Sequence, residues 1–323
     1  MNFCLMIRQK QVCAYQWFAQ LLEIGNMFEQ VVFSGGGNRC WWQAGFWDVI
    51  RPALDVRPQV IASVSTGAAM ACMLYANHSQ WALDYFNFVL KGNPRNCYPG
   101  NLLSTQEPVF PHKAIYQQAL RETLGGQQFL RLKNIAPEIR IQYTRLPQGM
   151  GLWRGLVLGL GAHYLEKNLF NPLHPTYVKK LGFTPEAGRV QDCDTVDDLV
   201  SLLMASASMP PQMGVEYRKG QPALDGSLYD NIPINLVRTG ENAGLTLVLL
   251  TDRFPTLPEQ FVVDGRIYAQ PSANIPVGAW DYTQPEALRL AYQLGQKDAQ
   301  HFLQTIQSLQ ANYTQASTTP AKA

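Results

Sequence analysis

The sequence predicts an α/β protein built on a central sheet, and three observations predict it. Strand-like segments recur along the chain, as short apolar runs at residues 30–33, 59–63 and 245–250 and as an alternating run at 139–144. Segments with helical spacing separate them, which is the pattern of strands alternating with helices. The first two runs each end in a small-residue loop that opens a helix.

The elements follow in order. Gln-Val-Val-Phe at 30–33 reads as a buried strand stopped by Ser34-Gly35-Gly36-Gly37. Trp41, Phe46, Val49, Ile50 and Leu54 then keep helical spacing across 40–54, and Pro52 and Pro58 close that segment. Residues 59–63 form a second strand, and after Ser65 a small-residue helix begins at Gly67. Residues 92–111 are rich in Pro, Asn and Gly and read as loop. Thr195 and Asp198 look like the cap of a helix that runs to about Ser208 and stops at Pro210-Pro211. A last helical pattern runs from Pro285 to about Gln310, and 311–323 is expected to be a disordered tail. Residues 1–27 read as an extension outside the fold, with Met27 as an alternative start, an amphipathic docking helix being the sharper reading. The domain is therefore expected over 28–310.

Composition narrows the function. Charged residues are 15% of 323, so much of the chain should be interior. A formal charge of +2 with no dense Lys/Arg run argues against nucleic acid. The six cysteines show no C-x-x-C pair and the five histidines no metal-ligand spacing, so neither a disulfide framework nor a metal is expected. No apolar run reaches the length of a membrane span, and the expected location is the cytoplasm, with peripheral membrane contact open. Residues 149–169 stand apart. They are apolar and glycine-rich, with Arg154 and Lys167 nearby. A buried core or lid helix is the preferred reading and an interfacial segment over the site the alternative.

Three motifs carry chemistry. Ser63-Val64-Ser65-Thr66-Gly67 matches G-x-S-x-G except at its first position. Small residues are required there because the nucleophile occupies a strained strand-to-helix turn. Gly35-Gly36-Gly37-Asn38-Arg39 lets backbone N–H groups converge on an anion, either a phosphate or an oxyanion. A dinucleotide fingerprint would need glycine at Cys40, which disfavours nucleotide binding. Leu224-Asp225-Gly226-Ser227 places an acid on a turn, where it can face a neighbouring loop. Together they predict an acyl hydrolase with Ser65 as nucleophile, Asp225 as base in direct contact, and the amides of Gly36 and Gly37 on the oxyanion.

In this order the motifs resemble the patatin-like phospholipase family. The similarity extends to Ala205-Ser206-Ala207-Ser208-Met209-Pro210, to Asn231-Ile232-Pro233 and to Asp281-Tyr282-Thr283. It covers about residues 28–310. The resemblance implies a three-layer α/β/α fold with a mainly parallel central sheet, and a Ser–Asp dyad without histidine. It also implies a lipid or phospholipid substrate and no cofactor. It assigns Ser65 as nucleophile, Asp225 as base and Gly35, Gly36 and Gly37 as oxyanion loop, with Asn38, Arg39, Gly67 and Gly226 in support; Arg39 is expected to order the loop. Ser63, Cys40 and Ser227 depart from the family pattern. Two rivals remain. A Ser–Asp–His triad would need His301, the one histidine after Asp225. A decayed, non-catalytic lipid-binding protein would need the three departures to have disabled the site.

Overall fold

A computed structural model describes residues 28–103, 107–240 and 243–318. The strands are β1 (Gln30–Phe33), β2 (Val60–Val64), β3 (Glu138–Arg145), β4 (Thr184–Arg189), β5 (Glu216–Arg218), β6 (Gln221–Asp225), β7 (Thr246–Leu249), β8 (Gln260–Val263) and β9 (Arg266–Ala269). The helices are α1 (Trp41–Ala53), α2 (Thr66–Tyr75), α3 (Ser79–Lys91), α4 (His112–Leu124), α5 (Gln127–Asn134), α6 (Leu152–Leu169), α7 (Tyr177–Lys180), α8 (Val196–Ser206) and α9 (Pro285–Thr318).

The nine strands among the described residues join one sheet in the order β5-β6-β3-β2-β1-β7-β9-β8, with β4 also paired to β3. The centre is parallel, through the pairs β3–β2, β2–β1, β1–β7 and β7–β9. Antiparallel strands are added at both sides. Both faces of the central strands are covered, and β1, β2 and β7 are mostly apolar accordingly, whereas β3 alternates apolar and polar residues.

Alternation along the strands sorts residues between the two faces. Val31, Phe33, Ile61, Ile139, Ile141, Leu247 and Leu249 enter the larger core with α1–α5, α8 and α9. Val32, Ala62, Val248, Leu250 and Tyr268 point the other way, onto Ile232, Val237 and Phe254. A third cluster packs α6 and α7 on Leu224, Leu228 and Phe183. The expected three-layer α/β/α arrangement with a mainly parallel sheet is thus observed.

Helix α1 is held firmly by α9. The two backbones touch through Gly45 and Gly295, where an added Cβ would strike the Tyr292 and Trp42 carbonyls. Trp42 donates to Asp298 at 2.7 Å, and the Phe46 and Phe302 rings meet edge to face.

The helix expected to end near Gln310 continues to Thr318, so residues 311–318 of the expected tail are helical. Residues 1–27 and 319–323 lie outside the described residues. Thr195 and Asp198 form a reciprocal capping box, as expected. Within the expected loop 92–111 lies one 3₁₀ turn, Pro99–Leu103. Of the preferred reading of 149–169 as a buried core or lid helix, the buried-core part needs correction. Residues 152–169 are helical, but only Gly155, Leu156, Gly159 and Glu166 are buried.

Candidate active site

The register of the sheet brings the three motifs together. Phe33 lies beside Ser63 on parallel strands, so the loops after β1 and β2 leave the same sheet edge. Val64 lies beside Gln142, and Tyr143 lies beside Asp225. The end of β6 therefore falls at the height of the turn after β2, although 160 residues separate Ser65 from Asp225.

Ser65 occupies that turn with φ 53° and ψ −136°. A positive φ costs a non-glycine residue of order 1–3 kcal/mol, so the surroundings must enforce it. They do. The Ser65 N–H donates to Ser206 Oγ at 2.7 Å, and Ser206 Oγ donates to the Gln142 carbonyl at 2.6 Å. On the other side Gly67 lies against the Ser34 and Phe33 carbonyls, with no room for a Cβ. Helix α2 then starts at Thr66 and is buried from Gly67 to Tyr75.

Ser65 Oγ donates to Asp225 Oδ2 at 2.7 Å, and both residues are buried. Asp225 is fixed through every other polar atom. Its Oδ1 accepts from Ser227 N at 2.7 Å, its N–H donates to the Ser208 carbonyl at 2.8 Å, and its carbonyl accepts from Thr144 Oγ1 at 2.8 Å. Gly226 is packed against the Gln142 carbonyl and Val64. Burial pushes the Asp225 carboxyl up to about 6, against the hydrogen bonds from Ser227 and Ser65 that favour its charged form.

The glycine loop is anchored through its carbonyls. The Gly35 carbonyl accepts from Asn231 Nδ2 at 3.2 Å and from Thr251 Oγ1. The Gly36 carbonyl accepts from Arg39 Nε at 3.3 Å. In a trans peptide the N–H points opposite to the preceding C=O. The N–H groups of Gly36 and Gly37 are thereby turned away from these anchors, and they have no acceptor among the described residues. Gly35 differs, because its own N–H donates to the Asn231 carbonyl at 3.2 Å. Gly37 has φ 57° and faces the Ala279 carbonyl, so only glycine fits there. Asn38 donates to the Asp281 carbonyl at 2.7 Å, and Arg39 pairs with Asp252 at 2.7 Å. Burial alone would raise Asp252, but Arg39 and Lys167 outweigh it and hold the carboxyl below its usual value.

The three departures are each accommodated. Ser63 is buried and donates to the Arg140 carbonyl at 3.0 Å. Cys40 is fully buried with its thiol 3.7 Å from the Ser34 carbonyl, and burial pushes its pKa upward. Ser227 Oγ lies against Gly35, in the space a side chain there would need. His301 is remote from this chemistry: it is exposed on α9 and faces Glu259 at 3.8 Å. Among the described residues no group of His, Cys, Asp and Glu is placed to hold a metal ion.

Sequence reasoning left Gln142, Thr251 and Asp252 unassigned and gave Ser206 and Asn231 no role. Thr251 and Asp252 follow an apolar strand directly, where α/β sheets place their sites, and that signal was available. Gln142 carried none, since its side chain donates to the Gly226 and Asp230 carbonyls from mid-strand.

A strained serine elbow at the carboxyl edge of a parallel sheet places the chain among the α/β proteins built on that device. More narrowly, a family model described as patatin-like phospholipase matches residues 31–238, and the chain belongs to that family. Membership supports hydrolase chemistry on lipid esters in general. No individual curated protein matches it.

Proposed function

We propose that the chain is a lipid acyl hydrolase of phospholipase A type that works through a Ser65–Asp225 dyad and an acyl-enzyme intermediate. The observation that carries this is the 2.7 Å hydrogen bond from a strained, buried Ser65 to a buried Asp225. Above pH 6 the carboxylate is ionised, and burial makes it a stronger base than an exposed aspartate. As Ser65 Oγ bonds to the ester carbonyl carbon, its proton passes to Asp225 Oδ2. The carbonyl oxygen becomes an oxyanion, held by the N–H groups of Gly36 and Gly37. Collapse breaks the ester C–O bond, and Asp225 returns the proton to the leaving alcohol. Water then attacks the acyl-serine, giving its proton to Asp225; collapse breaks the bond from Ser65 Oγ to the acyl carbon, Asp225 returns the proton to Ser65 Oγ, and the fatty acid leaves.

In this reading Gly35 shapes the loop rather than donating, because Asn231 takes its N–H. Asn38, Arg39, Gly67 and Gly226 hold the geometry. Residues 28–310 are read as one domain, since β7 and β9 complete the sheet beyond residue 238. Fatty acid release from a long-chain glycerolipid tests the proposal. Wild type and His301→Ala should release it at similar rates, and Ser65→Ala should not. Equal release by Ser65→Ala would overturn the dyad, and loss in His301→Ala would restore the triad.

A further inference from the structure

Helix α6 is built inside out. Its glycines face the protein: Gly155 lies on Leu146, and a Cβ at Gly159 would meet the Phe183 ring at 2.8 Å and Leu228 at 3.3 Å. Its large apolar residues face outward instead. Trp153 is 78% exposed, Val157 73%, Tyr164 72%, Leu165 52% and Leu169 62%, and Phe170 just beyond is 63% exposed. Positions 153, 157, 161, 164/165 and 168/169 recur at helical spacing, so most of these side chains share one face. At 1.5 Å per residue that face is about 27 Å long. Isolated exposed apolar residues need no explanation, but a contiguous face of this size marks contact with something apolar.

Charge identifies the occupant. Among the exposed residues of α6 the charged side chains are Arg154 and Lys167, both cationic. Its single acid, Glu166, is turned inward and accepts from the N–H groups of Thr176 and Tyr177 at 2.8 Å and 2.7 Å. Lys180, exposed at the end of α7, adds a further cation close by. An apolar face with aromatic residues at its two ends, flanked by cations and free of exposed carboxylates, matches the boundary of an anionic bilayer. It does not match a span, because no helix among the described residues is long and apolar enough to cross a membrane. The face also adjoins the site. His163 and Lys167 of α6 line a cleft with Ser34, Asn231 and Asp252, and Lys167 pairs with Asp252 at 3.2 Å.

We propose that the outer face of α6 is the docking surface by which the protein lies on a phospholipid bilayer, Trp153, Val157 and Leu165 entering the acyl boundary. The inference rests on the hydrolase reading for the choice of lipid as partner. Its test does not. Ser65→Ala protein, which leaves the lipid intact, is sedimented with vesicles of phosphatidylcholine alone or mixed with phosphatidylglycerol. The Trp153→Ser/Leu165→Ser pair should bind either vesicle about ten- to a hundredfold more weakly, since each side chain loses its apolar burial. Phe88→Ser, which removes an equally exposed aromatic on α3, should bind as before. Arg154→Glu should weaken binding to the anionic vesicles selectively. In the Ser65 background of wild type, the Trp153/Leu165 pair should hydrolyse a short-chain monomeric ester at the unaltered rate. Vesicle binding unchanged by the pair, or absent from the start, overturns the proposal. So does a dimer in analytical ultracentrifugation that the pair dissociates, because a second copy would then own the face. Failure to hydrolyse any ester, with vesicle binding intact and sensitive to the pair, would instead count against the hydrolase reading alone.

Discussion

Helices α2 and α6 are both apolar and rich in small residues, yet one is sealed in the core and the other wears its bulk outside. In α2 every residue from Gly67 to Tyr75 is buried, and Gly67 lets the helix start press against the Ser34 carbonyl. In α6 the glycines also mark the close approach, at Gly155 and Gly159, but Trp153, Val157 and Tyr164 turn away from it. Glycine position, not mean apolarity, tells which side of each helix meets the protein. A buried elbow demands rigidity, whereas an outward apolar face demands a partner.

Breaking the elbow should have the largest effect. Ser65→Ala or Asp225→Asn should lower ester turnover by about 10⁴ or more, because the dyad acts as a unit. Steady-state kinetics checks this, and the same Asp225→Asn protein gives a stability readout. The folded pKa of Asp225 is raised, so the native state binds the proton more tightly than the unfolded chain does. Stability from this group is then lost as pH rises from about 4 through 6. Asparagine escapes that loss, and its melting temperature should overtake that of wild type by pH 7, by the equivalent of up to about 3 kcal/mol.

The pH profile comes next. Turnover should fall about tenfold per unit below pH 6, as Asp225 protonates, and level off above it. A limb centred near pH 4 would mean a solvated carboxylate.

Smaller effects sharpen the comparison of the two helices. Gly67→Ala should destabilise by about 3 kcal/mol, since its Cβ meets backbone that cannot yield. Ser206→Ala should cost about 1–3 kcal/mol by leaving the Ser65 N–H without its acceptor. On α6, Gly161 has open space around its would-be Cβ, and Gly161→Ala should stabilise by about 0.5–1 kcal/mol. Chemical denaturation measures all three. Equal effects at positions 67 and 161 would mean that the two helices do not differ in how their glycines are packed.

Much of this was legible in the sequence. Strands β1, β2 and β7 announce themselves as apolar runs, because parallel strands covered on both faces are mostly apolar, and β3 announces itself by alternation of apolar and polar residues. Thr195 and Asp198 announce a cap because its chemistry is local. The hairpin strands β5–β6 and β8–β9 gave little signal, since each has only three to five residues and the outer strands β5 and β8 are partly exposed and mixed in composition. Ser65 and Asp225 could be found because motif geometry restricts their neighbours. The anchor Gln142 could not be placed, because its partners are set by register across the sheet, whereas Thr251 and Asp252 follow an apolar strand and were open to reading, though their partners Gly35 and Arg39 were not. For α6 the apolar run was visible, but not its orientation. Burial follows from what faces Phe183 and Leu228, and both come from later in the chain.

The most direct measurement is reaction of the purified protein with a fluorophosphonate ester, followed by peptide mass spectrometry. Wild type, Asp225→Asn and His301→Ala would be compared at pH 8. The account predicts adduct on Ser65 in wild type and His301→Ala, and none, or a rate lower by orders of magnitude, in Asp225→Asn. Adduct that depends on His301, or a folded wild type that leaves Ser65 unmodified, would contradict it.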